Sequence, residues 1–157
     1  MKPNAKSKNG FEPEHRTILL VDDDAGVREM VGRVLADEGY TVLLAASGPE
    51  AIQIAEHNHI DLVLLDLNMP LQDGWDAFEK LTAHDPMLAV NIITARPNQM
   101  FTALGAGARA LHEKPLDFPK LLQSVAESLA EPAEVRLARL TGRRADFHYH
   151  PSTGKDE

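Results

Sequence analysis

The stretch Thr17-Ile18-Leu19-Leu20-Val21-Asp22-Asp23-Asp24 decides the fold, because an apolar run runs straight into three carboxylates. A second stretch repeats the arrangement: Leu62-Val63-Leu64-Leu65 is followed at once by Asp66. Apolar runs this short, separated by helical patterns, read as parallel strands of an α/β sheet covered on both faces. The carboxyl ends of such strands are where ligands bind. The acids therefore meet at one crevice. Carboxylates a few Å apart repel by roughly 4 kcal/mol per pair at an effective dielectric near 20, so the cluster calls for a compensating cation. That makes it a candidate site for a hard metal ion.

Working outward from the first stretch, Val27, Met30, Val31, Val34 and Leu35 fall at helical spacing, with Asp24 as N-cap and Gly39 as the stop. Thr41 to Ala45 reads as the second strand. Ser47-Gly48-Pro49-Glu50 then offers a cap and a first-turn proline to a helix carrying Ala51, Ile52 and Ala55. Asp61 to Leu65 is the third strand, and the loop Asn68 to Gly74 turns on its proline and glycine into a helix marked by Trp75, Phe78 and Leu81. Ala89 to Ile93 is the fourth strand. A short helix through Met100, Phe101 and Leu104 leads to a fifth strand near Arg109 to His112. A last helix then carries Phe118, Leu121, Leu122, Val125 and Leu129 behind the cap Asp117. Five strand and helix pairs imply a doubly wound, five-stranded parallel sheet with helices on both faces.

The 157 residues are 43% hydrophobic, enough for one domain with a substantial core and modest extensions. Residues 1–16 are polar, aperiodic and broken by Pro3, Gly10 and Pro13, so they read as a flexible arm. Residues 17–130 form the domain. Residues 131–157 form an extension that is too short for an output domain but long enough for a short helix. No apolar stretch approaches a membrane span, and Lys2, Lys6 and Lys8 precede no signal-peptide core, so a cytoplasmic protein without membrane insertion is expected. The lack of cysteine excludes disulfides and thiolate metal sites. A net charge of -8 argues against direct nucleic-acid binding.

Thr94 ends the fourth strand and Glu113-Lys114-Pro115 ends the fifth, so a hydroxyl and an ammonium join the acids at the same edge. Taken together, Val21-Asp22-Asp23-Asp24, Leu65-Asp66, Met69-Pro70, Asp73-Gly74, Thr94-Ala95 and Glu113-Lys114-Pro115 resemble the receiver domain of two-component response regulators, the CheY-like superfamily. The likeness covers about Thr17 to Leu129. It implies a flavodoxin-like sheet of order 2-1-3-4-5 and a stand-alone response regulator. In that role Asp66 accepts a phosphoryl group from a sensor histidine kinase or a histidine phosphotransfer protein, and the chain signals through contact with an unknown downstream protein target. It further implies Mg²⁺ as cofactor, with Asp23 and Asp66 as direct ligands, Asp22 acting largely through water and Asn68 supplying its backbone carbonyl. By the same resemblance Lys114 and Thr94 stabilise the phosphoryl group, and Asn68 and Arg96 flank it. The domain would assist its own phosphorylation and dephosphorylation without being an enzyme in the usual sense.

Other readings compete with this one. Asp66 is not a Walker-B acid, because no glycine-rich loop with Gly-Lys-Ser/Thr exists in the chain. A phosphorelay intermediate or phosphate sink uses the same residues, and so does a phosphorylation-independent scaffold with an altered switch. The family pattern is broken in two places: Leu111 stands where many members carry an aromatic ring, and the segment from Thr94 to Lys114 is slightly short, with Pro97 stiffening it. Both argue against signalling through the usual face of the last two helices. Asn91 sits inside an apolar strand, where an unpaired amide is costly. The pairs His57/His59 and His148/His150 read as solvated side chains. In the extension, Ala133, Leu137 and Leu140 share one helical face and Arg136, Arg139 and Arg143 another, which suits a helix packed on its own domain or docked on a partner.

Overall fold

The computed structural model describes residues 16–68, 74–141 and 147–152. Of the arm expected over residues 1–16 only Arg16 falls within them, as does only part of the loop from Asn68 to Gly74. The chain alternates β1 (Thr17–Val21), α1 (Ala25–Asp37), β2 (Thr41–Ala45), α2 (Gly48–His57), β3 (Leu62–Asp66), α3 (Gly74–His84), β4 (Ala89–Thr94), α4 (Met100–Ala106), β5 (Ala110–Glu113) and α5 (Phe118–Ala130). After these come α6 (Ala133–Leu140) and β6 (His148–His150). All strands pair in parallel, in the order β2-β1-β3-β4-β5-β6. The expected order 2-1-3-4-5 forms the body of the sheet.

Alternate strand residues feed two cores, as the period of two requires. Leu19, Val21, Val63 and Leu65 face Ala51, Ala55, Ala77, Phe78, Leu81 and Ala103 from α2, α3 and α4. Ile18, Leu20, Leu62 and Leu64 face Val31, Leu35, Leu121 and Val125 from α1 and α5. The helix starts follow local chemistry. The Asp24 carboxylate accepts from Gly26 N and Val27 N, Ser47 Oγ from Glu50 N, and the Asp117 carboxylate from Lys120 N. Glu50 returns the favour by accepting from Ala46 N at 2.7 Å. Gly39, at φ 102, ends α1 in the left-handed region where glycine meets no steric penalty.

Asn91 finds its partners on α5, donating to Ser124 Oγ at 3.3 Å and accepting from Ser128 Oγ at 3.0 Å. All three residues are buried. This short polar seam satisfies the amide and fixes α5 over β4.

Two expectations need correction. The sheet has six strands, because His148–His150 pairs with β5 in the register Ala110↔His148, Leu111↔Tyr149 and His112↔His150. Three residues of alternating histidine and tyrosine carry no apolar run, so nothing local announces the strand. The second correction follows from the first: His150 is half-buried and stacks on buried His112, with ring centroids 4.3 Å apart and planes within 3°. The other pair, His57 and His59, is exposed as expected, with its rings bonded to Gln53 O and to the Asp61 carboxylate.

Candidate functional site

The acids stand where backbone ladders end. Past β1, Asp22 N still donates to Ala45 O. Past β3, Leu67 N donates to Ile93 O, and Lys114 N donates to Thr94 O at 2.8 Å. These last rungs hold the four strand ends in register and bring Asp22, Asp66, Thr94 and Lys114 to one edge. Gly74 lets α3 begin tight beneath this edge, since a Cβ there would lie 2.5 Å from Leu67 Cα. The Lys114–Pro115 peptide is cis.

Carboxylate oxygens of Asp22, Asp23 and Asp66 lie within 4.8 Å of one another. Asp22 and Asp66 are buried and Asp23 is exposed. Lys114 Nζ bridges the two buried acids, 3.1 Å from Asp22 Oδ2 and 3.5 Å from Asp66 Oδ2. The other oxygens of these acids are oriented by backbone: Asp22 Oδ1 accepts from Asp24 N at 2.9 Å and Asp66 Oδ1 from Asn68 N at 3.0 Å. Thr94 Oγ1 accepts from Arg96 N at 2.9 Å and lies 3.4 Å from Asn68 Oδ1, to which it can donate. Asp22, Asp23, Asp66, Asn68, Thr94 and Lys114, the candidate site residues expected from sequence, thus reach the same edge, while Met69, Pro70 and Asp73 lie outside the described residues.

Among the described residues, the three carboxylates at this edge are met by the Lys114 ammonium, and the Arg28 guanidinium reaches the Asp22 carbonyl beside them. Burial pushes Asp66 up to about 6, a shift opposed by the Asn68 hydrogen bond and the Lys114 ammonium and reinforced by Asp22. Burial also works against the Lys114 ammonium, but the Asp66 and Asp22 carboxylates outweigh it and raise its pKa. The residues fit a hard divalent cation. The side chains of Asp22, Asp23 and Asp66 offer carboxylate oxygens within 4.8 Å of one another, the hard oxygen donors such a cation takes.

Two contributors escaped the sequence reading. Arg28 reaches back from the first turn of α1 to donate to the Asp22 carbonyl at 2.7 Å. A cation near a helix N-terminus, where the dipole disfavours it, is the only local hint of that role. Trp75 Nε1 donates to Gln99 Oε1 at 3.0 Å, tying the start of α3 to the residue that precedes α4. That contact spans 24 positions and leaves no local signal.

The fold and this geometry agree with comparisons to known proteins. The sequence model of the response regulator receiver domain matches residues 18–126. The transcriptional regulatory protein GlrR of Escherichia coli K12 is 34% identical over 124 residues, 78% of this chain and 28% of that protein. The response regulator MprA of Mycobacterium sp. strain KMS is 38% identical over 107 residues, 67% of this chain and 46% of that protein. The chain therefore spans less than half the length of these curated relatives. Among solved structures, a CheY-like receiver domain protein from Methanospirillum hungatei superposes with a TM-score of 0.72 at 30% identity, covering 76% of this chain and 97% of that one. The response regulator TrrA of Thermotoga maritima, solved with Mg²⁺ and BeF, superposes at 0.67 with 27% identity, covering 72% and 98%. With the acids, the hydroxyl and the ammonium gathered at one sheet edge, the chain belongs to the response regulator receiver domain family.

Proposed function

We propose that Asp66 accepts a phosphoryl group from the phosphohistidine of a sensor histidine kinase or a histidine phosphotransfer protein. The observation that carries this reading is the Lys114 ammonium set between Asp22 and Asp66, with Asp23 within reach of both acids. The Asp66 carboxylate attacks phosphorus as the bond to one imidazole nitrogen breaks; the ring carries a proton on its other nitrogen, so an acyl phosphate forms and neutral imidazole leaves with the N–P electron pair. One Asp66 oxygen is held by Asn68 N, which leaves Oδ2, beside Lys114, as the attacking atom. Lys114 then follows the transferred charge, and the Thr94 hydroxyl turns its proton toward a phosphoryl oxygen. The acid cluster suits Mg²⁺, held by Asp23, Asp66, Asp22 and the Asn68 carbonyl, which when bound supplies charge neutralisation to the phosphoryl oxygens. The Mg²⁺ and BeF in TrrA support the assignment by likeness.

An apolar trough of about 280 Å³ borders Lys114, lined by Val27, Met30, Val31, Pro115, Leu116 and Phe118. It gives a donor protein a surface to press on beside Asp66. No helix among the described residues is long and apolar enough to cross a membrane. A donor charged from ATP supports a cytoplasmic location for the chain. Output goes through contact with a downstream protein once about two negative charges are added at Asp66. Incubation with acetyl phosphate and Mg²⁺ followed by intact mass tests the chemistry. A gain of one phosphoryl group, absent in Asp66→Asn, is expected. No gain leaves a scaffold that is not phosphorylated, and an equal gain in the variant puts the phosphoryl group on a residue other than Asp66.

A further inference from the structure

The outermost strand, β6, is held through two imidazoles. Phe147 packs against the core beneath α2, α3 and α4 and anchors the start of the strand, and His148 N donates to Arg109 O at 3.2 Å. His112 lies in register with Ile93 on β4 and with His150 on β6, which sets both rings on the face toward α5. There they stack, with centroids 4.3 Å apart and planes within 3° of parallel. Nε2 of each ring is buried and has no hydrogen-bond partner among the described residues. Two neutral imidazoles tolerate that arrangement. An imidazolium does not, because it sets a full charge and a second N–H donor beside a parallel ring, where Nε2 meets no acceptor.

The charged and titratable groups around the stack decide its response to acid. On that face stand His148 of β6 and, from α5 and its cap, Asp117, Lys120 and Glu127. β4 brings Ile93 and the bonded Asn91 amide, while Glu113 and Tyr149 alternate to the opposite face. Burial holds His112 down to about 3, with His150 adding to it. Burial, His148 and Lys120 lower His150 against the pull of Glu127 and Asp117. His148 works the other way, since a proton there completes an ion pair with Glu127 at 3.5 Å. With both side chains 39% exposed, that pair is worth a factor of about five at most. The buried stack therefore sets the sign. We propose that the His112–His150 stack is an acid-operated latch: β6 closes over the β5 edge while both rings are neutral and peels away from His148 onward once either takes a proton. Release leaves the backbone of Ala110 to His112 as an open strand edge that ends two residues short of Lys114. The device does not rest on phosphoryl transfer at Asp66.

Amide hydrogen exchange of the ¹⁵N-labelled full chain, read as protection factors at about pH 7.5 and about pH 5, tests the latch. A ring held at about 3 when β6 is closed and near 6.5 when it is released shifts the opening equilibrium by about thirtyfold over that interval. Allowing the Glu127 pair its opposing factor, protection of the His148 amide should fall at least about fivefold. Local release further requires that His148 exchange at least about tenfold faster than Leu20 and Leu64 in the central strands at both pH values. His112→Phe and His112→Gln remove the proton site in an apolar and a polar way. In whichever variant keeps the protection of Leu20 and Leu64, the fall at His148 should shrink to about twofold or less. Protection of His148 that equals that of Leu20 and Leu64 overturns the proposal, because β6 then leaves only when the whole chain unfolds. So does protection that holds steady or rises at the lower pH, or a fall that persists undiminished in a folded variant.

Discussion

At the carboxyl edge of β1 and β3, Asp22, Asp23 and Asp66 outnumber the Lys114 ammonium that faces them, whereas beyond α5 three guanidiniums share the one carboxylate of Glu131. Arg109 and Arg136 approach it at 3.2 and 3.3 Å, and Arg139 pairs with it as well. Arg136 also donates to the carbonyls of Met87 and Ser128, so α6 is clamped to the start of β4 and the end of α5. The first cluster keeps unspent negative charge for a ligand. The second spends its charges on the fold. Burial alone does not tell a site from a clamp; the sign of the charge left over, and whether backbone groups absorb it, does.

The largest effect follows from removing the shared carboxylate. Glu131→Gln leaves three guanidiniums facing an amide in a place where the Glu131 side chain is 3% exposed, and breaking such a buried pair costs about 3 kcal/mol or more. Urea unfolding at constant m should show it. A loss under about 1 kcal/mol would class the cluster with solvent-screened surface pairs. The same kind of change in the acid cluster should have the opposite sign. Because the folded Asp66 is held up to about 6 against 3.8, wild-type stability falls as pH rises from about 4 to about 6 and stays low above that. Asp66→Asn escapes this fall. In chelator at pH 7.5 it should be more stable by up to about 3 kcal/mol, and Mg²⁺ should stabilise the wild type more than the variant. Destabilisation by Asp66→Asn under those conditions would erase the contrast between the two clusters.

The contrast also explains what the sequence could show. β1 and β3, the caps Asp24, Ser47 and Asp117, and the stop at Gly39 all rest on nearest neighbours, and all are where periodicity and capping place them. The candidate site residues are legible because each ends a strand or lies within two residues of its end, and strand ends of a parallel sheet converge whatever lies between them. The extension offers no such rule. Its pattern sets leucines against arginines, and of the described residues the arginines turn inward: Arg139 is buried and Arg136 partly so, while Leu137 and Leu140 are exposed by 50% and 41%. The reason lies in Glu131, Met87 O and Ser128 O, tertiary partners that a helical wheel does not contain. Asn91 was unexplained for the same reason, since Ser124 and Ser128 stand 33 and 37 positions away.

An intermediate effect tests whether β6 belongs to the folded body. Burial, with His150 beside it, holds His112 down to about 3, so its ring stays neutral in the folded chain while the unfolded chain binds a proton near 6.5. The stability this represents is complete above 6.5 and is lost progressively as pH falls toward 3, reaching about 2 kcal/mol by pH 5. Asp66 works oppositely over part of that range, so the measurement belongs in Asp66→Asn. There, His112→Phe keeps a flat ring against His150 and should flatten the acid limb between pH 6.5 and 5. An unchanged slope would mean that β6 leaves His112 open to water.

The smallest effect sharpens the comparison most, because it separates the two faces of α6. If the helix were held by its apolar face, Leu137→Ser would cost what a packed leucine costs, about 2 kcal/mol or more. Held by Arg136 and Arg139 instead, with Leu137 half in water, the substitution should stay within about 0.5 kcal/mol. Arg136→Met keeps most of the side-chain length and strands the carbonyls of Met87 and Ser128, so it should cost more than the leucine change, on the order of 1–2 kcal/mol. Measured side by side by urea unfolding, the ranking matters more than either value. Arginine above leucine makes the extension an ionic clamp, and leucine above arginine restores the amphipathic helix that the residue pattern suggests.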